Sequence, residues 1–327
     1  MNLRRPCQYG RVKAIQITEF GGPEVMELVD LPDPEPGSGE VPVRISRTGV
    51  NYADTHATRN DYLAEQELPL VPGAEFVGTT GDGRRVAAVV ANGAYAEAIA
   101  VPEAALVPIP DQVDDEQAAG LLLQGLTADG ILRISANLQP GESVVINAAA
   151  GGTGSLAVQI ARSMGAGRII ALASSDEKRQ LALSLGADVA IDSRSEDLRQ
   201  EILDANEGVP VDVVLEMAGG TAFEQCLRAL APFGRLVTFG IASREENTVK
   251  TGHLMRNSRA VIGFWMVHLL MRPELARQGI ERVLGAAASG KLKTIVGGTY
   301  ALEEAPAVHE KMAARRTMGK ILLDPSL

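Results

Sequence analysis

Residues 144–155 read Val-Val-Ile-Asn-Ala-Ala-Ala-Gly-Gly-Thr-Gly-Ser, and a helical pattern of Leu156, Val158, Ile160, Ala161 and Met164 follows. A short apolar run, a glycine-rich turn and a helix start, in that order, gather backbone N–H groups and the positive end of a helix at one point. That is the chemistry needed to hold the pyrophosphate of a dinucleotide. Gly151 lets the backbone approach the phosphates, and Gly154 lets the helix lie close to the strand. Ala149 stands where the G-x-G-x-x-G fingerprint has its first glycine, so the motif is a variant.

About 20 residues past such a turn, a carboxylate grips the ribose of NAD, or cations and hydroxyls receive the 2′-phosphate of NADP. Here residues 173–179 read Ala-Ser-Ser-Asp-Glu-Lys-Arg. Ser174 and Ser175 can donate to a phosphate and Lys178 can pair with it as a point charge, which favours NADP. Two other readings stay open. Ser174 with Glu177 also spells a capping box, and Asp176 would suit NAD.

Other chemistries find little support. The four histidines, His56, His253, His268 and His309, show no i, i+4 ligand spacing, and the two cysteines, Cys7 and Cys226, cannot make a four-cysteine zinc site or a disulfide framework. No metal is therefore expected, and His253, His268 and His309 read as ordinary surface or core residues. Gly285 with Gly290-Lys291 lacks the Ser or Thr of a P-loop, and Gly290 reads as a helix C-cap. No G-x-S-x-G elbow is present. The 327 residues carry a net charge of −10, which leaves no basic footprint for nucleic acid or an anionic membrane, and Arg4, Arg5, Arg11 and Lys13 read as a solvated basic start. No run of about 18 apolar residues appears, and the longest candidate, 260–271, is short and contains His268. The start lacks a signal-peptide core, so a reducing cytoplasm is expected.

The elements that must position these residues change character along the chain. Residues 1–11 read as an extension. The first third is turn-rich β structure, with strands expected at 12–17, 25–29, 41–46, 85–90 and 95–101, the last two forming an antiparallel meander across Asn92-Gly93. Helices are expected at 116–123 and 127–135. From 143 onward strand and helix alternate, ending in a strand at 261–266 and a helix at 274–288, which predicts a doubly wound parallel sheet. The tail returns to β at 299–302 and 320–323, around a helix at 305–314. The expected organisation is a dinucleotide-binding domain, 123–266, inserted in a discontinuous, mainly β domain formed by 1–122 and 267–327.

Several landmarks together resemble the zinc-free, ζ-crystallin-like quinone oxidoreductases of the medium-chain dehydrogenase/reductase superfamily. They are Phe20-Gly21-Gly22-Pro23-Glu24, Gly49-Val50-Asn51-Tyr52-Ala53-Asp54, Val71-Pro72-Gly73-Ala74-Glu75, Gln124-Gly125-Leu126-Thr127-Ala128, the glycine turn, and Gly319-Lys320-Ile321. The resemblance runs from about Val12 to the C-terminus and implies a Rossmann sheet with a GroES-like outer domain. Zinc-dependent relatives have cysteine where this chain has Asn51 and histidine where it has Ala74. The resemblance places the nicotinamide near Asn51, Thr127, Gly240, Ile241 and Phe264-Trp265-Met266, the phosphates on Gly152 and Thr153, and Arg316 close to the cofactor. Phe264 and Trp265 read equally well as core residues. His56 stands where relatives have tyrosine, Ser193 replaces another tyrosine beside the cofactor, and 78–85 is shorter than usual.

The expected reaction is hydride transfer from NADPH to a quinone or an α,β-unsaturated carbonyl without metal. Donors from Asn51, Tyr52, Tyr62 and Thr127 would meet the developing oxyanion, and His56 would give a proton, since imidazole exchanges protons near neutrality. A reduced quinone is stabilised by its own aromatic ring, so no single donor should be indispensable. The alternatives are an enoyl reductase on thioester enones and a non-catalytic NADPH-binding protein. The family habit implies a homodimer.

Overall fold

A computed structural model describes residues 10–327; Arg4, Arg5, Cys7 and the rest of the expected extension up to residue 9 lie outside the described residues. In chain order the elements are β1 (Arg11–Gln16), β2 (Glu27–Pro32), β3 (Glu40–Val50), α1 (Tyr52–Ala57), β4 (Glu75–Thr80), β5 (Arg85–Val89), β6 (Ala98–Pro102), β7 (Val107–Pro108), α2 (Asp115–Ala118), α3 (Leu126–Gly130), β8 (Ser143–Ile146), α4 (Gly152–Ser163), β9 (Arg168–Ala173), α5 (Asp176–Ser184), β10 (Val189–Asp192), α6 (Leu198–Ala205), β11 (Val211–Glu216), α7 (Gly220–Ala229), β12 (Leu230–Thr238), α8 (Thr251–Asn257), β13 (Ala260–Gly263), α9 (Met266–Leu270), α10 (Pro273–Ala288), β14 (Val296–Ala301), α11 (Ala305–Ala313) and β15 (Lys320–Asp324). They group into two compact units, the described part of Met1–Leu122 with Val296–Leu327, and Leu123–Ile295.

The second unit is a six-stranded parallel sheet in the order β10-β9-β8-β11-β12-β13. Its strands are nearly continuous apolar runs because helices cover both faces. Val145, Ile170, Leu172, Val214 and Leu236 from the sheet are buried with Leu198 and Ile202 of α6 and Phe223 and Cys226 of α7. The chain leaves β8 toward β9 on one side, and β11 flanks β8 on the other, so the order of winding reverses between β8 and β11. Open sheets of this kind bind ligands outside the carboxyl ends of the strands at that reversal.

The first unit is antiparallel for the most part. β1 pairs with β2, while a seven-stranded sheet runs β14-β15-β3-β4-β5-β7 with β6 also on β3. One core joins Ile15, Ile17, Val50, Leu70, Tyr95, Val308, Ile321 and Leu323, and a second joins Val43, Phe76, Val86 and Val101.

Four expectations change. β6 pairs with β3, from Glu40 opposite Pro102 to Arg44 opposite Ala98, and not with β5, whose partners are β4 and β7; Asn92-Gly93 is therefore not a hairpin between them. The strand expected at 261–266 stops at Gly263, because Trp265 becomes the N-cap of α9. Of the helices expected at 116–123 and 127–135, the first stops at Ala118, and the second is the short α3 flanked by wide π-type turns at Leu121–Gly125 and Ile131–Ser135. The boundary expected at 266/267 falls instead at 295/296. The reason is that α10 is fastened to α3: Arg282 reaches the buried Asp129 carboxylate at 2.6 Å, and Gly279 leaves room for Leu126.

Candidate functional site

The glycine turn sits where the sheet order reverses. Gly151 is the N-cap of α4, and the first helical bond runs from Ser155 N to Gly151 O at 2.8 Å. The N–H groups of Gly152, Thr153 and Gly154 therefore lie outside the helical ladder, as the opening donors of any helix do. Ala148 takes a left-handed conformation, φ 50°, to make the turn. A Cβ on Gly154 would overlap the Ala148 carbonyl oxygen and come within 2.8 Å of Ala149 Cα, so that glycine serves close packing of helix on strand. Below the turn, Glu216 at the end of β11 is fully buried and accepts from Ala218 N (2.7 Å), Gly219 N (3.0 Å) and Asn147 Nδ2 (3.2 Å). Burial raises its pKa. This carboxylate ties the residues after β8 to the residues after β11, and nothing local in the sequence marks it.

The other cofactor positions of this unit follow the carboxyl ends of neighbouring strands. Ser174 and Ser175 come after β9, Ser193 after β10, Gly240 and Ile241 after β12, and Phe264, Trp265 and Met266 after β13. Gly240 and Ile241 line a cavity of about 260 Å³ with Gly219, Thr238, Asn247 and Val249. The Phe264 ring packs on the bare Cα of Gly130 in α3, and Trp265 sits edge-on to His268 at 5.2 Å. The cap of α5 is Ser175, which accepts from Lys178 N at 3.3 Å, and not Ser174. That leaves Ser174, half-buried, clear of the capping duty. Asp176 is exposed and paired with Arg179, whose other contacts are the Ala173 carbonyl and Asp192. Arg179 is a second cation at this strand end.

Thr127, on α3, donates its hydroxyl to Leu123 O at 2.7 Å. Its single proton is thus spent within the helix, and the expected oxyanion role does not fit this geometry.

In the first unit, Asn51 closes β3 and caps α1. Its amide donates to Gly49 O (3.1 Å) and Glu75 Oε1 (2.9 Å), and its Oδ1 accepts from Lys320 Nζ (3.0 Å). Both amide hydrogens are engaged, so Asn51 belongs to a buried polar cluster and not to the free donors expected of it. Lys320 is fully buried and forms an ion pair with Glu75, itself 2% exposed. Gly49 supplies the room, since a Cβ there would meet Glu75 Oε1 and Lys320 Cε at 2.6 Å. A buried ammonium therefore stands beside Asn51. Among the described residues, no three of His, Cys, Asp and Glu are grouped as metal ligands.

Beside this cluster, Asp54 Oδ2 accepts from Asn51 N (2.8 Å) and from the Tyr95 hydroxyl (3.0 Å), which also lies 2.9 Å from His309 Nε2. Burial pushes Asp54 up to about 7 and His309 down to about 4. Alone, Asp54 would contribute stability that is lost as pH rises from about 4 through 7. His309 alone would contribute stability that is lost as pH falls from 6.5 through 4. Between those limits folding makes one group keep a proton and the other shed one, so their slopes cancel. Asp54→Asn is expected to make melting temperature rise with pH between about 4.5 and 6.5, and His309→Gln to make it fall. Parallel slopes in the two variants would contradict the assignment.

His56, on the same helix, is 3% exposed. Its Nδ1 lies 2.7 Å from Asp61 Oδ1, Tyr62 stacks on its ring at 4.8 Å, and Tyr52 meets it edge-on at 5.6 Å. Burial raises the Tyr62 phenol. Tyr52, His56 and Tyr62 thus come together as one cluster, and Arg316 lies exposed in the turn after α11.

Comparison with known proteins agrees with this architecture. Residues 37–111 match the alcohol dehydrogenase GroES-like domain, and 152–284 match the zinc-binding dehydrogenase domain. The quinone oxidoreductase of Pseudomonas aeruginosa is 36% identical over 96% of this chain and 99% of its own. The chain belongs to the quinone oxidoreductase family of the medium-chain dehydrogenase/reductase superfamily. Another relative in this family's range is the 2-haloacrylate reductase of a Burkholderia species, 30% identical over 96% of this chain and 99% of its own. Among solved structures, the quinone oxidoreductase of Thermus thermophilus, known also as its complex with NADPH, is 38% identical with a TM-score of 0.86, covering 95% of this chain and 99% of that one. The Rossmann sheet and GroES-like unit are those of the family. No helix among the described residues is long and apolar enough to cross a membrane.

Proposed function

We propose that this quinone oxidoreductase family member transfers hydride from NADPH to a quinone or an α,β-unsaturated carbonyl, and does so without a metal ion. The observation that carries the reading is the alignment of the phosphate cradle, Ser174, Lys178, Ser193, Gly240 and Ile241 along the carboxyl edge of one parallel sheet. NADPH, when bound, supplies the hydride. The N–H groups of Gly152 and Thr153 receive the pyrophosphate; Ser174 and Lys178, with Arg179 at the same strand end, receive the 2′-phosphate. Gly240, Ile241 and the residues 264–266 bound the nicotinamide end, while Arg316 is carried as a cofactor contact by the family resemblance alone. The metal-free reading is supported by the Lys320 ammonium, which fills the place beside Asn51 with a fixed positive charge.

Acceptor activation then falls to Tyr52, Tyr62 and His56, whose rings lie against one another, while Asn51 and Thr127 hold their own segments in shape. A quinone needs only charge stabilisation. An enone needs hydride at its β-carbon and a proton at its α-carbon, and the 2-haloacrylate reductase relative favours keeping that acceptor class. A cytoplasmic homodimer is the setting we propose.

The test is NADPH oxidation across a panel of quinones, free enones and a thioester enone. Turnover of the thioester alone would redefine the protein as an enoyl reductase, and tight NADPH binding with no turnover would make it a non-catalytic binding protein. For the cofactor, Lys178→Ala is expected to raise the dissociation constant of NADPH by about tenfold or more, as for one lost charge-assisted contact, while that of NADH moves little. Equal weakening of both would remove Lys178 from the 2′-phosphate site.

A further inference from the structure

We propose that Asp61 is a positioning residue that makes His56 the proton donor for enone reduction, so that this pair separates enone from quinone turnover; the proposal rests on the hydride-transfer reading above. Asp61 Oδ1 lies 2.7 Å from His56 Nδ1, while His56 Nε2 is buried and makes no hydrogen bond. A buried ring nitrogen without a partner is costly, and a substrate atom is the partner it awaits. The carboxylate fixes the tautomer: Nδ1 keeps its hydrogen toward Asp61, and Nε2 is the nitrogen that exchanges a proton. The side chain of Asp61 is 39% exposed against 4% for His56, so water reaches the acid more freely than the imidazole it holds. The stacked Tyr62 ring and the edge-on Tyr52 ring keep the imidazole plane in place.

In the enone reaction, hydride adds to the β-carbon, and the π pair of the enone shifts to make an enolate. The enolate α-carbon takes the proton from Nε2–H of the imidazolium, the carbonyl re-forms, and neutral imidazole is left with its hydrogen on Nδ1. Water restores the Nε2 proton once product leaves. In a quinone the hydride leaves an aromatic oxyanion that bulk water protonates, so the pair is not needed.

The titratable groups around His56 are few. Asp61, Tyr62 and Tyr52 touch its ring. Asp54, on the same helix, is turned to Asn51 and Tyr95, and His309 of α11, packed against α1, is bonded to Tyr95. Asp61 is thus the carboxylate bonded to the imidazole, and the one whose loss would disfavour the imidazolium.

The experiment compares unaltered protein, His56→Gln and Asp61→Asn for NADPH affinity, for kcat on an enone and on a quinone, and for the pH profile of the enone reaction. In His56→Gln the enone kcat is expected to fall by about 10²–10⁴, the usual worth of a general acid, and the quinone kcat by less than about tenfold. Asp61→Asn is expected to lower the enone-to-quinone ratio and to move the high-pH fall in enone kcat/KM toward lower pH, with NADPH affinity kept. Equal losses on both acceptors, or an unmoved pH profile in Asp61→Asn, would overturn the proposal while leaving hydride transfer standing. Absence of turnover by the unaltered protein on every quinone and enone would instead overturn the activity, and the pair's role with it.

Discussion

Lys320→Met is expected to cost about 3–5 kcal/mol of stability, the range found when one member of a buried ion pair is removed. The side chain is entirely enclosed, and its ammonium holds both Glu75 and Asn51 Oδ1. Methionine would fill much of the same volume but take away the ammonium paired with the buried Glu75 carboxylate. The penalty therefore comes from an uncompensated buried charge, not from lost packing. Thermal melting should show it as a drop of about 10 °C or more, taking a few degrees per kcal/mol for a unit of this size. The companion variant Lys320→Met with Glu75→Leu removes both charges and is expected to recover most of the loss, because apolar replacements of a whole buried pair are commonly neutral. A single variant that melts like the unaltered protein would show that the pair is not paired in solution.

Gly154→Ala should be the second severe change, acting on both folding and cofactor. The added methyl would overlap the Ala148 carbonyl oxygen and press on Ala149 Cα, both backbone atoms of the turn. Backbone yields less readily than side chains, so overpacking here is expected to cost about 1–3 kcal/mol and to push the cradle open. NADPH affinity should fall by about tenfold or more, since phosphate contacts of the charge-assisted kind are each worth at least that much. Gly152→Ala makes the control. Its methyl would first meet the Gln124 side-chain amide, a flexible end that can swing aside, so its melting temperature should stay within a few degrees. Titration of NADPH fluorescence together with melting curves separates the two; indistinguishable behaviour of Gly154→Ala and the unaltered protein would rule out the packing role.

The alternation of strand and helix after residue 143 made the parallel sheet legible, because period and turn residues are local signals. The cradle was legible for the same reason: its glycines are neighbours. What escaped was nonlocal. Glu75 and Lys320 stand 245 positions apart, and nothing in either segment announces that the other lies against it. β6 follows a turn that looks like a hairpin, yet its register is set by β3 far upstream. The second boundary was misplaced because α10 is held by one ion pair to Asp129, in a helix that reads as an ordinary amphipathic run. Asp61 carries no local signal, since its meaning depends on a histidine five residues earlier facing it across the end of α1.

The distribution of the proposed dinucleotide contacts over separate strand tips has an engineering corollary. The residues after β9 would read the adenosine phosphate, and those after β12 and β13 would flank the reactive ring, with two strands and their loops between them. Preference between the phosphorylated and unphosphorylated coenzymes should therefore be exchangeable by rewriting the short segment 174–179, leaving acceptor choice as an independent design variable.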